Sequence, residues 1–236
     1  MKVVKIILRK SKRVADKVFG TAVDEFYWKF RHIFDKKWPE SYFSPESLTT
    51  RELMIDEISR HLPLNSVLEV GCASGPNLYM LAKKYPKIKF YGVDISKKAI
   101  EAGKNIFKKE KINNIFLEVS SVERLQNFEN KSIDLIFSNA LLIYIGPDKI
   151  KSVIEEISRV ARKKIIFFEW HDDKIVNSVY RDHWIYNYRF MINKLIPHGK
   201  IKINRILPLV AKSLPSVEKL DRNWAKFGNI IEVRLQ

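Results

Sequence analysis

The sequence contains very little cysteine and no long uncharged apolar run. Cys72 is the one cysteine in 236 residues, so an internal disulfide is excluded, and no cysteine–histidine spacing of a metal cluster is present. This cysteine usage is typical of a reducing compartment, and we therefore expect a cytoplasmic protein with no metal site. The apolar residues within residues 1–13 are broken by Lys5 and are too few for a signal peptide or a membrane span.

Acidic residues are scarce relative to basic ones. There are 43 Lys and Arg against 27 Asp and Glu, which gives a net charge of +16 and a pI near 9.8. This balance is compatible with a nucleic acid or an anionic membrane as partner, and equally with ordinary solvated lysines. Residues 1–13 alternate apolar and basic side chains, which predicts either a peripheral contact with an anionic membrane or a plain N-terminal extension.

Neither internal repeats nor low-complexity segments interrupt the chain, and its hydrophobic content of 46% is enough for a full core. The length fits one large domain, or a domain with an added cap. Residues 24–38 are aromatic with helical spacing and precede Pro39, which predicts a cap helix. Aromatic residues at this spacing usually pack, but Tyr27 and Trp28 are also candidates for lining a site.

An apolar run over residues 67–70 ends in a glycine turn, and a helix is predicted to begin at once. Gly71 and Gly75 can take backbone angles closed to other residues, and Pro76 suits the first position of the helix. Strand, turn and helix N-terminus predict a nucleotide-type site with free N–H groups facing the ligand. The spacing Gly-x-x-x-Gly differs from the Gly-x-Gly-x-x-Gly of dinucleotide enzymes, which argues against a nicotinamide oxidoreductase.

A second apolar run ends in Asp94, about twenty residues after the turn. An acid at the end of the second strand is placed to bind two ribose hydroxyls, although it could instead cap the following helix. Helices and strands then alternate, which predicts a mostly parallel sheet covered on both faces. The predicted elements are helices 24–38, 44–62, 76–85 and 97–110, a helix from Pro147 and a helical stretch 174–195, with strands 67–70, 89–93, 115–119, 133–138, 164–169, 200–207 and 229–235.

Three motifs in this order resemble one family. Glu69-x-Gly71-x-x-x-Gly75, then Val93-Asp94-Ile95-Ser96, then residues 133–140 are similar to the motifs of class I S-adenosylmethionine-dependent methyltransferases. The resemblance covers roughly residues 45–236. It implies a three-layer, doubly wound α/β sheet of about seven strands with a reversed last strand, preceded by residues 1–44 as basic tail and helical cap.

The resemblance also implies how S-adenosylmethionine would be held. Glu69 and the glycine turn contact the methionine part, Asp94 takes the ribose hydroxyls, and Ile95 lies against the adenine. Ser121 stands where the family often has an acid for the adenine amino group, which is a departure. The predicted cofactor-binding residues are Glu69, Gly71, Cys72, Ala73, Ser74, Gly75, Asn77, Asp94, Ile95, Ser121, Val122 and Asn139.

Candidate catalytic groups follow the fourth and fifth strands. They are Tyr144, Glu169 and His171, of which His171 could serve as a general base near neutral pH. The alternative is a surface acid and histidine beside two aspartates. His183 lies among aromatic residues and is interpreted as a packed histidine. Residues 139–142 are not Asn-Pro-Pro-Tyr, which argues against methylation of exocyclic amino groups of adenine or of glutamine.

Two acceptor classes remain open from the sequence. One is a small molecule, sugar or lipid-linked intermediate, favoured because aromatic residues near strands four and five suggest an enclosed apolar pocket. The other is a nucleic acid, which the charge permits. A non-catalytic cofactor-binding relative is a further alternative. The aromatic residues are Tyr144, Trp170, Tyr180, Trp184 and Tyr186, and the lysines placed on helix faces away from the strand ends are Lys83, Lys84, Lys97, Lys98, Lys104, Lys108 and Lys109.

Overall fold

The computed structural model describes residues 21–44, 51–175, 177–180, 183–206, 208 and 222–236. Residues 1–13, with their predicted membrane contact, lie outside the described part, so that contact stays a prediction. The same holds for the division of the chain at residue 44. No helix within the described ranges is both long enough and apolar enough to cross a membrane.

Strands and helices alternate through the centre of the chain, as predicted. The strands are β1 (Ser66–Val70), β2 (Lys89–Asp94), β3 (Ile115–Val119), β4 (Ile133–Asn139), β5 (Ala161–Trp170), β6 (Asn177–Tyr180), β7 (His183–Tyr186), β8 (Lys200–Arg205) and β9 (Gly228–Arg234). The helices are α1 (Ala22–Phe34), α2 (Trp38–Ser41), α3 (Glu52–Ser59), α4 (Pro76–Lys84), α5 (Lys97–Lys109), α6 (Ile150–Val160), α7 (Tyr188–Leu195) and α8 (Arg222–Phe227), with a 3-10 turn at Leu142–Tyr144.

Seven strands form one sheet in the order β3-β2-β1-β4-β5-β9-β8. The first five pair in parallel, because each returns through a crossover that contains a helix or a long loop. β9 runs antiparallel between β5 and β8. The predicted doubly wound sheet with a reversed last strand is therefore confirmed, and the polar residues that follow β1, β2 and β4 meet at one edge.

Helices cover both faces of the sheet. Along β1, Val67 packs with apolar residues of α3, α4 and α5, while Leu68 and Val70 pack on the opposite face with α6 and α7. The alternation follows from the two-residue period of a strand. α6 carries the predicted three- and four-residue spacing, and its apolar side chains are all buried: Ile150, Val153, Ile154, Ile157 and Val160.

The helical cap differs from its prediction in one respect. α1 ends at Phe34, and Pro39 does not end a helix but occupies the first turn of the separate helix α2. Proline is tolerated there because the first turn of a helix has no N–H partner to lose. The second predicted helix is described only as α3, since residues 45–50 lie outside the described part.

The helical prediction for residues 174–195 is wrong over its first half. β6 and β7 form an antiparallel hairpin, and α7 begins only at Tyr188. The aromatic and β-branched residues of this stretch suit a pleated strand at least as well as a helix. His171, which follows β5, also pairs with Tyr186 in an isolated parallel bridge. This contact attaches the end of β7 to the end of β5.

Candidate functional site

A cavity of about 260 Å³ lies at the carboxyl ends of β1, β2 and β4, beneath α1. It is at the edge where open α/β sheets bind ligands. Most predicted cofactor residues line it, whereas Ser74 and Gly75 do not. Those that do are Glu69, Gly71, Cys72, Ala73, Asn77, Asp94, Ile95, Ser121, Val122 and Asn139.

The glycine turn after β1 depends on left-handed backbone angles. Gly71 has φ +71° and Gly75 has φ +78°, a region that favours glycine. A Cβ at Gly71 would lie 2.7 Å from Cδ1 of Leu141, so this wall of the cavity also requires the absence of a side chain.

Three of the N–H groups that the sequence predicts to face a ligand are bonded within the protein. The N–H groups of Gly71 and Cys72 donate to the carbonyl of Val93, at 2.8 and 3.0 Å. The N–H of Gly75 donates to the carbonyl of Cys72 at 2.8 Å. The turn folds back onto the end of β2, which uses these three donors. What Gly71 offers a ligand is therefore close approach to the backbone.

Glu69 lines the cavity, and one of its carboxylate oxygens has no hydrogen-bond partner among the described residues. Its Oε1 accepts from Nδ2 of Asn77, and Arg51 donates to Oδ1 of Asn77 at 2.7 Å. Among the described residues, Oε2 of Glu69 has no hydrogen-bond partner although it is buried. Burial raises the pKa of Glu69 to about 8, against the opposing effects of Asn77 and Arg51. A buried carboxylate with an unused oxygen is suited to hold a cation.

Asp94 ties the glycine turn to the start of α5. Its Oδ2 accepts from the N–H of Ala73 and its Oδ1 from the N–H of Ser96, both at 2.8 Å. Burial raises the pKa of Asp94, while these two hydrogen bonds oppose the shift. The cap of α5 is Ser96, whose Oγ accepts from the N–H of Ala99. Each Asp94 oxygen keeps a second lone pair for a ligand in the cavity.

The loop after β3 supplies the far wall. Ser121 and Val122 line the cavity together with Ile95. The hydroxyl of Ser121 accepts from the N–H of Glu123 at 3.3 Å, so it retains its own proton for donation. A flat apolar wall with one hydroxyl beside it fits a heteroaromatic ring.

α1 is fixed over the cavity by polar contacts at its first turn. Thr21 donates its N–H and hydroxyl to Asp148, at 3.1 and 2.9 Å to Oδ1. Lys149 bridges Glu25 of α1 and Glu123 of the loop after β3, at 2.6 and 2.8 Å. These contacts join α1 to positions more than a hundred residues away along the chain, and no local signal in the sequence identifies them.

The second helix of the cap is attached beside the glycine turn. Ser74, which is fully buried, donates its hydroxyl to the carbonyl of Pro39 at 2.6 Å. Ser74 therefore holds α2 against the turn instead of lining the cavity. Together, α1 and α2 form a lid, which we define as residues 21–44.

The cavity wall includes residues that the sequence did not single out: Asp24 and Tyr42 of the lid, and Arg51 just before α3. Of the two lid residues named from the sequence, Trp28 lines the wall and Tyr27 does not. Trp28 meets the ring of Tyr144 edge-on at 5.0 Å between centroids. Asp24, Trp28 and Arg31 recur every three or four residues on the inner face of α1. This spacing is the signal in the sequence that these side chains share one face of the helix.

Tyr144 is the predicted catalytic residue that the structure places in the cavity wall. Its hydroxyl lies 3.2 Å from Nε2 of His183, and burial raises the pKa of Tyr144 well above its usual value. The phenol is therefore neutral at physiological pH, able to donate and to accept a hydrogen bond. His183, interpreted as a packed histidine, does pack on Trp170, but it also orients Tyr144.

Glu169 and His171 do not line the cavity. Glu169 is fully buried, accepts from the hydroxyl of Ser138 at 2.7 Å and from the N–H of Leu141 at 3.0 Å, and so holds the turn that carries Tyr144. Burial raises the pKa of Glu169 to about 7.

His171 is likewise buried in the fold. Its Nδ1 accepts from the N–H of Tyr188 at 3.1 Å, and burial lowers its pKa. Glu169 lies near the end of β5 and His171 directly follows it, at the edge predicted from the sequence, but both side chains are buried away from the cavity.

The aromatic residues and the lysines named in the sequence analysis differ in whether the structure agrees with their predicted positions. Trp170, Trp184 and Tyr186 are buried in the core and do not line the cavity, and the side chain of Tyr180 is outside the described part. The aromatic wall comes from the lid and from Tyr144 instead. The seven helix-face lysines are exposed as predicted, and none belongs to the cavity wall.

One acid–histidine cluster lies away from the cavity. Glu57, His61 and Glu232 place one potential ligand atom each within 4.8 Å of one another. Lys164 contacts two members of this group, with Nζ 2.6 Å from Nδ1 of His61 and 3.0 Å from Glu232. The ammonium makes this an ion-pair network, because a metal ion would have to displace it.

The chain matches a protein-family model and several known proteins. A family model described as "Methyltransferase domain" matches residues 63–211. Carboxy-S-adenosyl-L-methionine synthase of Campylobacter jejuni is 26% identical over 201 residues, covering 76% of this chain and 82% of that protein.

Two other curated relatives are matched over a smaller share of their length. Human tRNA N(3)-cytidine methyltransferase METTL6 is 26% identical over 144 residues, covering 58% of this chain and 51% of that enzyme. An uncharacterised protein of Rickettsia prowazekii is 30% identical over 102 residues, covering 43% of this chain and 40% of that protein. The chain thus spans about half the length or less of these two relatives.

Two solved structures share the fold. Magnesium protoporphyrin IX methyltransferase from Synechocystis, with bound S-adenosylmethionine, superposes with a TM-score of 0.63 at 14% identity, covering 92% of this chain and 97% of that one. Geranyl diphosphate C-methyltransferase from Streptomyces coelicolor superposes with a TM-score of 0.60 at 12% identity, covering 80% and 82%. At these identities the likeness concerns the fold alone.

Proposed function

Because this chain belongs to the methyltransferase-domain family of class I S-adenosylmethionine-dependent enzymes, we propose that its cavity holds this cofactor for methyl transfer to a small acceptor. The proposed acceptor is a metabolite, a sugar or a lipid-linked intermediate. The observation that carries the small acceptor is the composition of the wall: Trp28, Leu141 and Tyr144 line the cavity, and none of the seven exposed helix lysines does. A concave site lined mostly by apolar and aromatic side chains suits a small ligand.

The residues present fit the cofactor. The unused Oε2 of Glu69 would accept from the ammonium of the methionine part, and the bare backbone at Gly71 would allow its close approach. Asp94 would take the ribose hydroxyls through its remaining lone pairs. Ile95 and Ser121 would hold the adenine. The bound cofactor supplies an activated methyl group on a sulfonium sulfur.

The acceptor is proposed to lie between the lid and Tyr144. Methyl transfer needs the acceptor atom held nearly in line with the sulfur, so positioning groups contribute much of the rate. The neutral phenol of Tyr144, oriented by His183, would hydrogen-bond a hydroxyl or amine of the acceptor. Trp28 and Asp24 would close the opposite side.

A nucleic acid is the second candidate acceptor. It is supported by the net charge of +16 and by the similarity to human METTL6, whose name describes a tRNA cytidine methyltransferase. A nucleic acid would have to present a single base beneath α1, which requires the lid to open.

The acceptor class can be tested by offering labelled S-adenosylmethionine together with bulk RNA, DNA and an extract of metabolites and glycans. We expect label in the extract. Tyr144→Phe should lower this incorporation by roughly threefold to tenfold, the value of one hydrogen bond, and leave affinity for S-adenosylhomocysteine unchanged. Tyr85→Phe is the matched control, because its hydroxyl contacts Ser59, outside the cavity.

Salt-sensitive labelling of RNA or DNA, with none in the extract, would overturn the small-acceptor proposal and leave the methyltransferase proposal standing. Equal incorporation by Tyr144→Phe and the wild type would instead remove Tyr144 from the acceptor site.

Cofactor binding is expected to tighten with rising pH. In the ligand-free protein Glu69 has a pKa of about 8, so below this pH it must lose a proton to meet an ammonium. Affinity for S-adenosylhomocysteine should rise by up to about tenfold per pH unit between pH ~6 and ~7.5. By the same linkage, protonated Glu69 gives the ligand-free protein a stability that is complete below 4.5, the ordinary pKa of a glutamate, and is lost as pH rises to about 8.

Glu69→Gln isolates this effect in calorimetric titrations across the same pH range. Other groups that face the cavity, such as Asp94 and Arg51, interact electrostatically with Glu69 and remain ionisable in the variant, so the comparison gives the part of the slope that depends on the Glu69 carboxylate. A slope that is identical in Glu69→Gln and the wild type would contradict the assignment of Glu69 to the ammonium.

A further inference from the structure

The lid helix α1 carries aromatic side chains on two opposite faces. Its inner face packs over the cavity with Trp28, which lies between Asp24 and Arg31. Its outer face carries Phe26, Phe30 and Ile33, spaced four and three residues apart and thus aligned along the helix. Phe26 is 64% exposed and Ile33 is 60% exposed. Exposed strips of large apolar side chains mark interaction surfaces, so this outer strip is expected to have a partner.

The outer strip is continuous. The rings of Phe26 and Phe30 are 4.8 Å apart between centroids, and Ile33 follows one turn further along the helix. Beyond Ile33, a shallow groove is lined by Ile33, Lys36, Pro39, Glu40 and Lys98. The apolar strip therefore runs from Phe26 to Ile33, and the groove that follows it toward α2 is lined partly by charged side chains.

Cationic side chains border the strip. Lys29, Lys36 and Lys37 are exposed, and Nζ of Lys29 lies 5.9 Å from the centroid of the Phe30 ring. Lys98 is also exposed, although it pairs with Glu101 at 3.1 Å. Exposed acids here are Asp35 and Glu40. The excess of ammonium groups makes this border complementary to an anionic partner.

We propose that the outer face of α1 binds an anionic lipid surface. Aromatic and aliphatic side chains at the acyl boundary, with lysines reaching the headgroups, are the features of an interfacial helix. The inner face of the same helix walls the cavity, so lipid binding would bring the candidate site to the bilayer. This inference does not depend on the identity of the acceptor.

Other occupants fit the strip less well. A second copy packed about a twofold axis near Phe30 would bring Lys29 of both chains together, and like charges repel. A nucleic acid would be attracted by the lysines but would gain little from Ile33, which offers neither hydrogen bonds nor a ring for stacking.

The test is co-sedimentation of the full chain with vesicles of phosphatidylcholine alone or of phosphatidylcholine with phosphatidylglycerol. We expect binding to the anionic vesicles only. The double substitution Phe26→Ser with Ile33→Ser should weaken that binding by about tenfold or more, since each buried side chain contributes transfer free energy. Phe116→Ser is the matched control, because Phe116 is 48% exposed on the edge strand β3.

Binding of S-adenosylhomocysteine is measured for all variants in parallel. Retained cofactor binding in the double variant shows that its lid is folded and separates this test from that of the proposed function. The proposal is overturned if the double variant binds anionic vesicles as tightly as the wild type, or if the wild type binds neither vesicle. It is also overturned if light scattering shows a dimer that the double substitution dissociates.

Discussion

Gly71→Val should abolish measurable binding of S-adenosylhomocysteine. A β-branched residue strongly disfavours the φ of +71° at this position, and its Cβ would lie 2.7 Å from Cδ1 of Leu141. Relief of both conflicts requires the turn to change conformation and so removes this wall of the cavity. We expect a loss of about a hundredfold or more, measured by calorimetry.

Two further variants keep this result interpretable. Gly199→Ala, in the turn before β8, changes a glycine whose φ is outside the left-handed region and which does not line the cavity, and it should bind normally. Gly71→Ala combined with Leu141→Ala removes the clash but keeps the left-handed strain, so it should bind better than Gly71→Ala alone. Normal binding by a folded Gly71→Val variant would show that the ligand does not approach this turn.

Asp94→Ala should remove the preference of the protein for a ligand with ribose hydroxyls. The wild type is expected to bind S-adenosylhomocysteine about tenfold to a hundredfold more tightly than an analogue that lacks both hydroxyls, since hydrogen bonds to a charged group contribute roughly 1.5–3 kcal/mol. The variant should bind both ligands with similar affinity. Comparing two ligands is necessary because Asp94 also holds Ala73 and Ser96.

Asp172→Ala is the matched control. Asp172 accepts from the N–H of Lys174 at 2.9 Å, the same two-residue spacing as Asp94 and Ser96, but lies outside the cavity wall. It should leave the ligand preference intact. If Asp94→Ala retains the full preference for ribose hydroxyls, Asp94 serves only to hold the turn.

The parts of the fold that the sequence predicts depend on short-range signals. The strand before Gly71, the cap at Ser96 and the apolar spacing of α6 each follow from residues within one turn or one strand. The hairpin of β6 and β7 does not, because its aromatic residues suit a helix or a strand, and the bridge between His171 and Tyr186 decides between them. Such a contact across the fold leaves no local pattern.

The residues of the candidate site also divide into those that the sequence predicts and those that it does not. The residues that follow β1, β2, β3 and β4 are brought to the cavity by the topology alone, so motif spacing is enough to find them. Glu169 has an equally suitable position near the end of β5, yet Ser138 and the N–H of Leu141 hold its carboxylate inward. Asp24 and Tyr42 reach the wall through the packing of the lid on the sheet, and the spacing within α1 does not determine that packing.

The volume of the cavity has a consequence for the timing of the reaction. Sites for drug-sized ligands occupy about 300–1,000 Å³, and the space beneath α1 is about 260 Å³. If the acceptor binds beneath α1 beside the cofactor, as proposed, the first turn of α1 has to be released from Asp148 and Lys149 and then restored in each turnover. Opening of the lid, rather than the chemistry at the methyl group, would then limit the rate of turnover, with product release as the slowest step.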